Sequence, residues 1–249
     1  TTREKSSHNN NNNNDDDDFD DDSVGFIQSR EESFCTLPLP IKDFDNMNDS
    51  LNSIYQTQVL FGDNQYALEG GRKIDAEQIQ RIKVAPPVLI IQLKRFEFDI
   101  TTQDRIKINK KFEILKNISL KEFMINETKN DSDYNYTLHG VVVHRGEGSH
   151  GHYTSLISID NDWFKFDDID VQKVDEKVFR EEAFGSDEDN NKNNNKDQFE
   201  YYYSNNINGY LLFYINEDAK VDGKLLLDNS FDFYVPEEKR LLIDKQNKH

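Results

Sequence analysis

Gly151-His152-Tyr153-Thr154-Ser155-Leu156-Ile157-Ser158-Ile159, followed three residues later by Trp163-Phe164-Lys165-Phe166-Asp167-Asp168, is the stretch on which the fold turns. Both runs have the β-branched and aromatic content of strands, and a hairpin is the simplest way to join them, with a turn at Asp162 and Trp163 packing on the sheet. A histidine opening one strand and a carboxylate closing the next would then be neighbours. That is the relation of a general base to the group that orients it. The plainer readings are a solvated strand-end histidine and an Asx turn at Asp167-Asp168.

Upstream, His144-Arg145-Gly146-Glu147-Gly148-Ser149-His150-Gly151 has three glycines in eight residues, the composition of a mobile loop beside a site that a backbone must approach closely. Further out, Val88-Leu89-Ile90-Ile91-Gln92-Leu93 follows Pro86-Pro87 and is apolar on both faces, as in a central strand, and Lys94 to Phe98 then alternates. Strands are also expected at Arg105–Ile108, Tyr136–His144, Tyr153–Ile159, Trp163–Phe166 and Tyr210–Ile215. Helical signals are fewer: Ser50 as cap of a helix through Tyr55, Asp175 as cap of one through Ala183, and a proline-started helix over Pro236–Ile243. The pattern predicts a largely antiparallel α+β fold.

The 249 residues are 35% hydrophobic and 12% aromatic, enough for a substantial core. The net charge of −18, of which residues 1–23 contribute −6, speaks against a nucleic-acid partner and for either a basic partner or simply solubility. No apolar run is long enough to span a membrane and no signal peptide is visible, so a soluble protein of the cytoplasm or nucleus is expected. One cysteine, Cys35, excludes a disulfide framework, and in Ser33-Phe34-Cys35-Thr36-Leu37-Pro38 it reads as a small apolar side chain. Residues 1–23 read as a disordered Asn/Asp-rich linker or insertion and Ser186–Gln198 as an expanded polar loop. His139 and His144 read as packing or supporting groups rather than ligands, and Tyr201-Tyr202-Tyr203 as a partner contact or, equally, a sheet-edge or core contact. Because the chain starts at Thr1 rather than Met, further sequence is expected upstream.

Six blocks then occur in a characteristic order: Pro86 to Phe96, Ile106-Lys107-Ile108-Asn109, Tyr136 to His144, Gly151-His152-Tyr153, Trp163 to Asp168, and Asn208-Gly209-Tyr210-Leu211-Leu212-Phe213-Tyr214. From residue 24 to 216 the chain resembles the ubiquitin-specific protease family, and within it most the branch of ubiquitin carboxyl-terminal hydrolases 47 and 7. The resemblance implies a papain-like cysteine peptidase shaped as a hand. This chain would supply the antiparallel β palm and part of the fingers, with the thumb missing. It implies His152 as general base and acid, Asp167 as its orienter, and Asp168 as a group near the oxyanion or a polarised water. It also implies two loops over the ubiquitin tail, carrying Phe98, Asp99 and Arg105 in the first and Gly148, His150, Gly151 and Tyr153 in the second. A basic tail ending in two glycines calls for an acidic, narrow channel.

The same resemblance marks departures. The family's Gly-Asn-Thr-Cys-type nucleophile block is not among these residues, and Cys35 falls in the fingers. Val24-Gly25-Phe26 and Ala67-Leu68-Glu69 stand where zinc cysteines would be, and apolar side chains cannot replace thiolates, so no structural zinc and no cofactor are expected. The expected partners are ubiquitin, ubiquitinated proteins and the missing thumb half, with residues 217–249 a partly helical extension. The expected function is the C-terminal part of a thiol-dependent deubiquitinase, inactive by itself. The alternatives are a non-catalytic ubiquitin-binding or scaffolding module and a hydrolase of a ubiquitin-like modifier.

Overall fold

A computed structural model describes residues 2–4, 27–125, 130–148, 150–185, 206–216, 218, 220–221 and 224–225. An eight-stranded sheet dominates it. Its strands are β1 (Leu37–Pro40), β2 (Val88–Lys94), β3 (Asn117–Ser119), β4 (Asn135–Gly146), β5 (Gly151–Ile159), β6 (Asp162–Asp167), β7 (Asp170–Val174) and β8 (Ile207–Asn216). They lie in the order β7-β6-β5-β4-β8-β2-β1, with β3 also paired to β4. Every pairing in this sheet is antiparallel except that of β1 with β2. The helices α1 (Met47–Tyr55) and α2 (Glu176–Phe184) complete the expected α+β, mainly antiparallel architecture.

Strand alternation decides which face is covered. Tyr136, Leu138, Val141 and Val143 of β4, Leu156 of β5, Leu212 and Tyr214 of β8, and Leu89, Ile91 and Leu93 of β2 join one buried cluster. α2 lies on this face because Phe179 stacks on Trp163 of β6, centroids 4.3 Å apart, and both leave water. Asp175 caps α2 as expected, its carboxylate accepting from the Val178 N–H at 2.8 Å, and the helix runs one residue beyond Ala183.

Several expectations need correction. α1 begins at Met47, capped by Asn46, whose side chain accepts from the Asp49 N–H at 2.9 Å. Ser50 lies buried inside that helix and donates to the Pro40 carbonyl. The β5–β6 turn is Asp160-Asn161, both with positive φ, and Asp162 already belongs to β6. β2 is an interior strand as expected, paired to β8 and β1, but it is sealed on one face only and half-buried on the other. Thr2–Glu4, within the segment expected to be disordered, is a strand between Ile27–Gln28 and Ala76–Gln78 in a second, four-stranded sheet that also holds Gln58–Leu60. Within the extension from 217, Lys220–Val221 pairs with Lys224–Leu225. The polar loop 186–198, Tyr201 to Tyr203 and the helix over 236–243 lie outside the described residues.

Between β2 and the strand Phe96–Asp99, Arg95 turns inward and is fully buried. It meets carbonyls: Gly209 at 2.7 Å, Lys110 at 2.9 Å, Ile108 at 3.0 Å and Phe184 at 3.5 Å. One side chain thereby ties β8, the end of α2 and the 108–110 segment together, at a desolvation cost that lowers its pKa to about 9.

Candidate active site

β5 and β6 pair with Ser155 opposite Phe166 and Ile159 opposite Asp162. Continuing that register sets Asp167 against Thr154 and makes His152 its diagonal neighbour, within reach of a long side chain. His152 Nε2 stands 2.6 Å from Asp167 Oδ1. A carboxylate only accepts, so the neutral imidazole presents Nε2–H to it and leaves a lone pair on Nδ1. The hydrogen bond from His152 is the main reason the Asp167 carboxyl titrates below its ordinary range, and the nearby charges of Lys165 and Arg145 add to it.

Asp168 occupies the left-handed region, φ 53°, in the turn from β6 to β7. It is exposed, and an oxygen of it lies within 4.8 Å of donor atoms of His152 and Asp167. That trio could grip a cation, but the short His152–Asp167 bond already uses one atom from each of two of its members.

The two loop stretches meet. A methyl group on Gly148 would stand 2.1 Å from the carbonyl oxygen of Arg105, so glycine is needed where the 145–151 segment crosses the hairpin Phe96–Asp99/Asp104–Lys107. Phe98 is 65% exposed and offers an apolar contact. Asp99 caps its own turn, accepting from the N–H groups of Thr101 at 2.7 Å and Thr102 at 3.4 Å. Arg105 lies over the Phe96 ring, 4.4 Å from its centroid. His150 is exposed, 4.0 Å from Glu147, while Gly151 and Tyr153 bring the backbone and a half-exposed ring against His144. His144 itself is buried and edge-on to Phe96. It is a packing residue whose pKa burial lowers to about 4.

Residues 3–214 match the family model of ubiquitin carboxyl-terminal hydrolase. The chain belongs to that family. It is 32% identical over 215 residues to ubiquitin carboxyl-terminal hydrolase 15 of Saccharomyces cerevisiae, covering 80% of this chain and 18% of the relative. It is 35% identical over 212 residues to ubiquitin C-terminal hydrolase 12 of Arabidopsis thaliana, with the same coverage. For ubiquitin carboxyl-terminal hydrolase 7 of Drosophila melanogaster the identity is 31% over 197 residues, covering 78% of this chain and 16% of the relative. The chain thus spans about a fifth or less of the length of these hydrolases. Among solved structures it resembles a chain of the SAGA Ubp8/Sgf11/Sus1/Sgf73 DUB module, with a TM-score of 0.53 at 26% identity over 73% of this chain and 35% of that one.

Around His152 lie ionisable groups that local sequence signals do not reveal. Lys165 of β6 is 6% exposed, with Nζ 2.7 Å from Glu182 of α2 and 3.9 Å from Asp167 Oδ2. Lys107 is buried and donates to the carbonyls of His144, Gly146 and Asn206 at 2.9, 3.1 and 2.7 Å. Desolvation, with Arg95 nearby, lowers its pKa to about 7. Each depends on where remote elements dock. The one usable hint was a lysine at an inward-facing position, two residues before Asp167.

Proposed function

We propose that this chain is the histidine-bearing part of a thiol-dependent deubiquitinase with a papain-like arrangement, cleaving the bond after the C-terminal glycine of ubiquitin. The eight-stranded sheet serves as palm, the four-stranded sheet belongs to the fingers, and the thumb and its thiol come from outside these residues. The observation that carries the reading is the 2.6 Å contact between His152 Nε2 and Asp167 Oδ1.

That contact leaves Nδ1 to face the nucleophile. Nδ1 takes the thiol proton, and the resulting imidazolium keeps Nε2–H on Asp167. The thiolate attacks the glycine carbonyl, the C–N bond breaks, and Nδ1 returns the proton to the departing amine. Water then gives a proton to Nδ1 as its oxygen attacks the thioester, and the thiol is regenerated. Asp168 stands near enough to polarise that water. Cys35 is no candidate for the thiol: it precedes β1, four strand steps from β5, or about 19 Å at the usual ~4.8 Å spacing. The loop stretches around Phe98, Asp99, Arg105, Gly148, His150 and Tyr153 flank the histidine and would close over the ubiquitin tail. The acidic balance of −18 suits the tail's arginines.

The test uses the full-length product with C-terminally labelled ubiquitin as substrate. His152→Ala is expected to lower hydrolysis at least about 10²-fold, the usual scale of a lost general base, while leaving ubiquitin affinity unchanged. Undiminished hydrolysis would remove His152 from the mechanism. Ubiquitin binding without hydrolysis in the wild type would make the protein a binding module.

A further inference from the structure

The ion pair behind Asp167 has no part in the proton transfers above. Trp163, Lys165 and Asp167 alternate onto the face of β6 that α2 covers, and His152 reaches the same face from β5. The Lys165 ammonium, nearly sealed from water, therefore has two carboxylates within range: Glu182 Oε1 at 2.7 Å and Asp167 Oδ2 at 3.9 Å. Glu182 is 15% exposed and its Oε2 is buried without a hydrogen-bond partner among the described residues. Leaving a carboxylate oxygen in that state is costly, and a neutral glutamine could tie the strand to the helix through the same acceptor oxygen. The charge of Glu182 calls for another reason.

Charge balance supplies one. A lone buried ammonium beside Asp167 would draw that carboxylate into its own ion pair and away from the imidazole. With Glu182 taking the close position, Lys165, Asp167 and Glu182 together carry one net negative charge, and it resides on the carboxylate that faces His152. Arg145, across the strand pair from His152, is the other cation acting on Asp167.

We infer that Glu182 is a positioning residue: it holds Lys165 off Asp167 so that Asp167 Oδ1 stays committed to His152 Nε2 and the imidazole keeps its proton on that nitrogen. The inference rests on the proposed role of the His152–Asp167 pair. Its test needs no turnover, so the two can fail separately.

The measurement is the ¹⁵N spectrum of the imidazoles in the full-length product labelled at histidine, with the His152 signals assigned by their loss in His152→Gln. In the wild type the neutral ring is expected as the Nε2–H tautomer. Glu182→Gln keeps size and acceptor but leaves Lys165 uncompensated. The ratio of Nε2–H to Nδ1–H tautomer is expected to fall several-fold with little change in melting temperature. Adding Lys165→Met removes the competitor and is expected to restore the ratio. A purely structural pair predicts the reverse: an unchanged ratio in Glu182→Gln, and a lower melting temperature in the double variant with no rescue. An unchanged ratio in the folded single variant, or a ratio that falls further in the double one, overturns the inference.

Discussion

A methyl group on Gly151 would stand 2.2 Å from His144 Nε2 and 2.5 Å from the carbonyl oxygen of Arg145, both fixed by the sheet. The glycine-rich composition of 144–151 suggested mobility and close approach, and at Gly148 and Gly151 the approach is what the structure displays. Gly151→Ala is therefore expected to destabilise by about 1–3 kcal/mol, the cost of overpacking, seen as a lower urea midpoint. Gly140, on the neighbouring strand, is the control. A methyl there meets its nearest atoms at an ordinary 3.7 Å, so Gly140→Ala should be neutral or stabilising by about 0.5–1 kcal/mol, alanine being the better strand residue. Equal losses at both positions would show that strand glycines matter here for a reason other than space. Gly151 directly precedes His152, so the same clash would also move the ring that must meet Asp167.

Secondary structure was readable where its signal is local. The alternation in β5 and β6 set the hairpin, and the hairpin brought His152 to Asp167. Asp175 announced α2 because an N-cap acts within three residues. Asp175→Ala should cost about 1 kcal/mol in thermal or urea unfolding, whereas Asp175→Asn, which keeps the acceptor oxygen, should cost almost nothing; equal losses would mean that charge, not the cap bond, is what matters. α1 was misread because Ser50 resembles a cap, although Asn46 and Asp49, bonded side chain to side chain at 2.8 Å, form the pair that starts the helix. β1 was not legible at all. Two prolines in Leu37–Pro40 argue against a strand, and they are tolerated because β1 pairs on one side only, as the outermost member of the sheet. Lys165 with Glu182 was out of reach for a different reason. The partners are on different elements, and their meeting depends on how α2 docks through Phe179 on Trp163.

At the scale of the whole molecule an acidic chain keeps two buried cations that, among the described residues, no carboxylate serves directly. Arg95 and Lys107 rest on backbone carbonyls, and burial lowers their pKa values to about 9 and about 7. For Lys107 the consequence for stability has a definite sign. Its folded pKa is below its ordinary 10.5, so between about pH 7 and 10 the unfolded chain binds the proton that the folded chain has lost. Stability then rises with pH across that window, by at most about 1.36 kcal/mol per pH unit for one proton. Arg95 adds to the rise from about pH 9 upward, and the tyrosines Tyr55 and Tyr136, held up to about 12 by burial, reverse it above pH 10. On the acid side His144, lowered to about 4 from 6.5, removes stability as pH falls between those values. The urea midpoint of the chain should therefore climb from pH 7 to 9, where the growing net negative charge alone would make it fall. Lys107→Met should flatten or invert that climb and leave the acid limb in place. An unchanged climb in Lys107→Met would show that the buried ammonium does not set the alkaline limb. It would also show that the clamp on the His144, Gly146 and Asn206 carbonyls, which fixes the segment leading into His152, is made without a titrating charge.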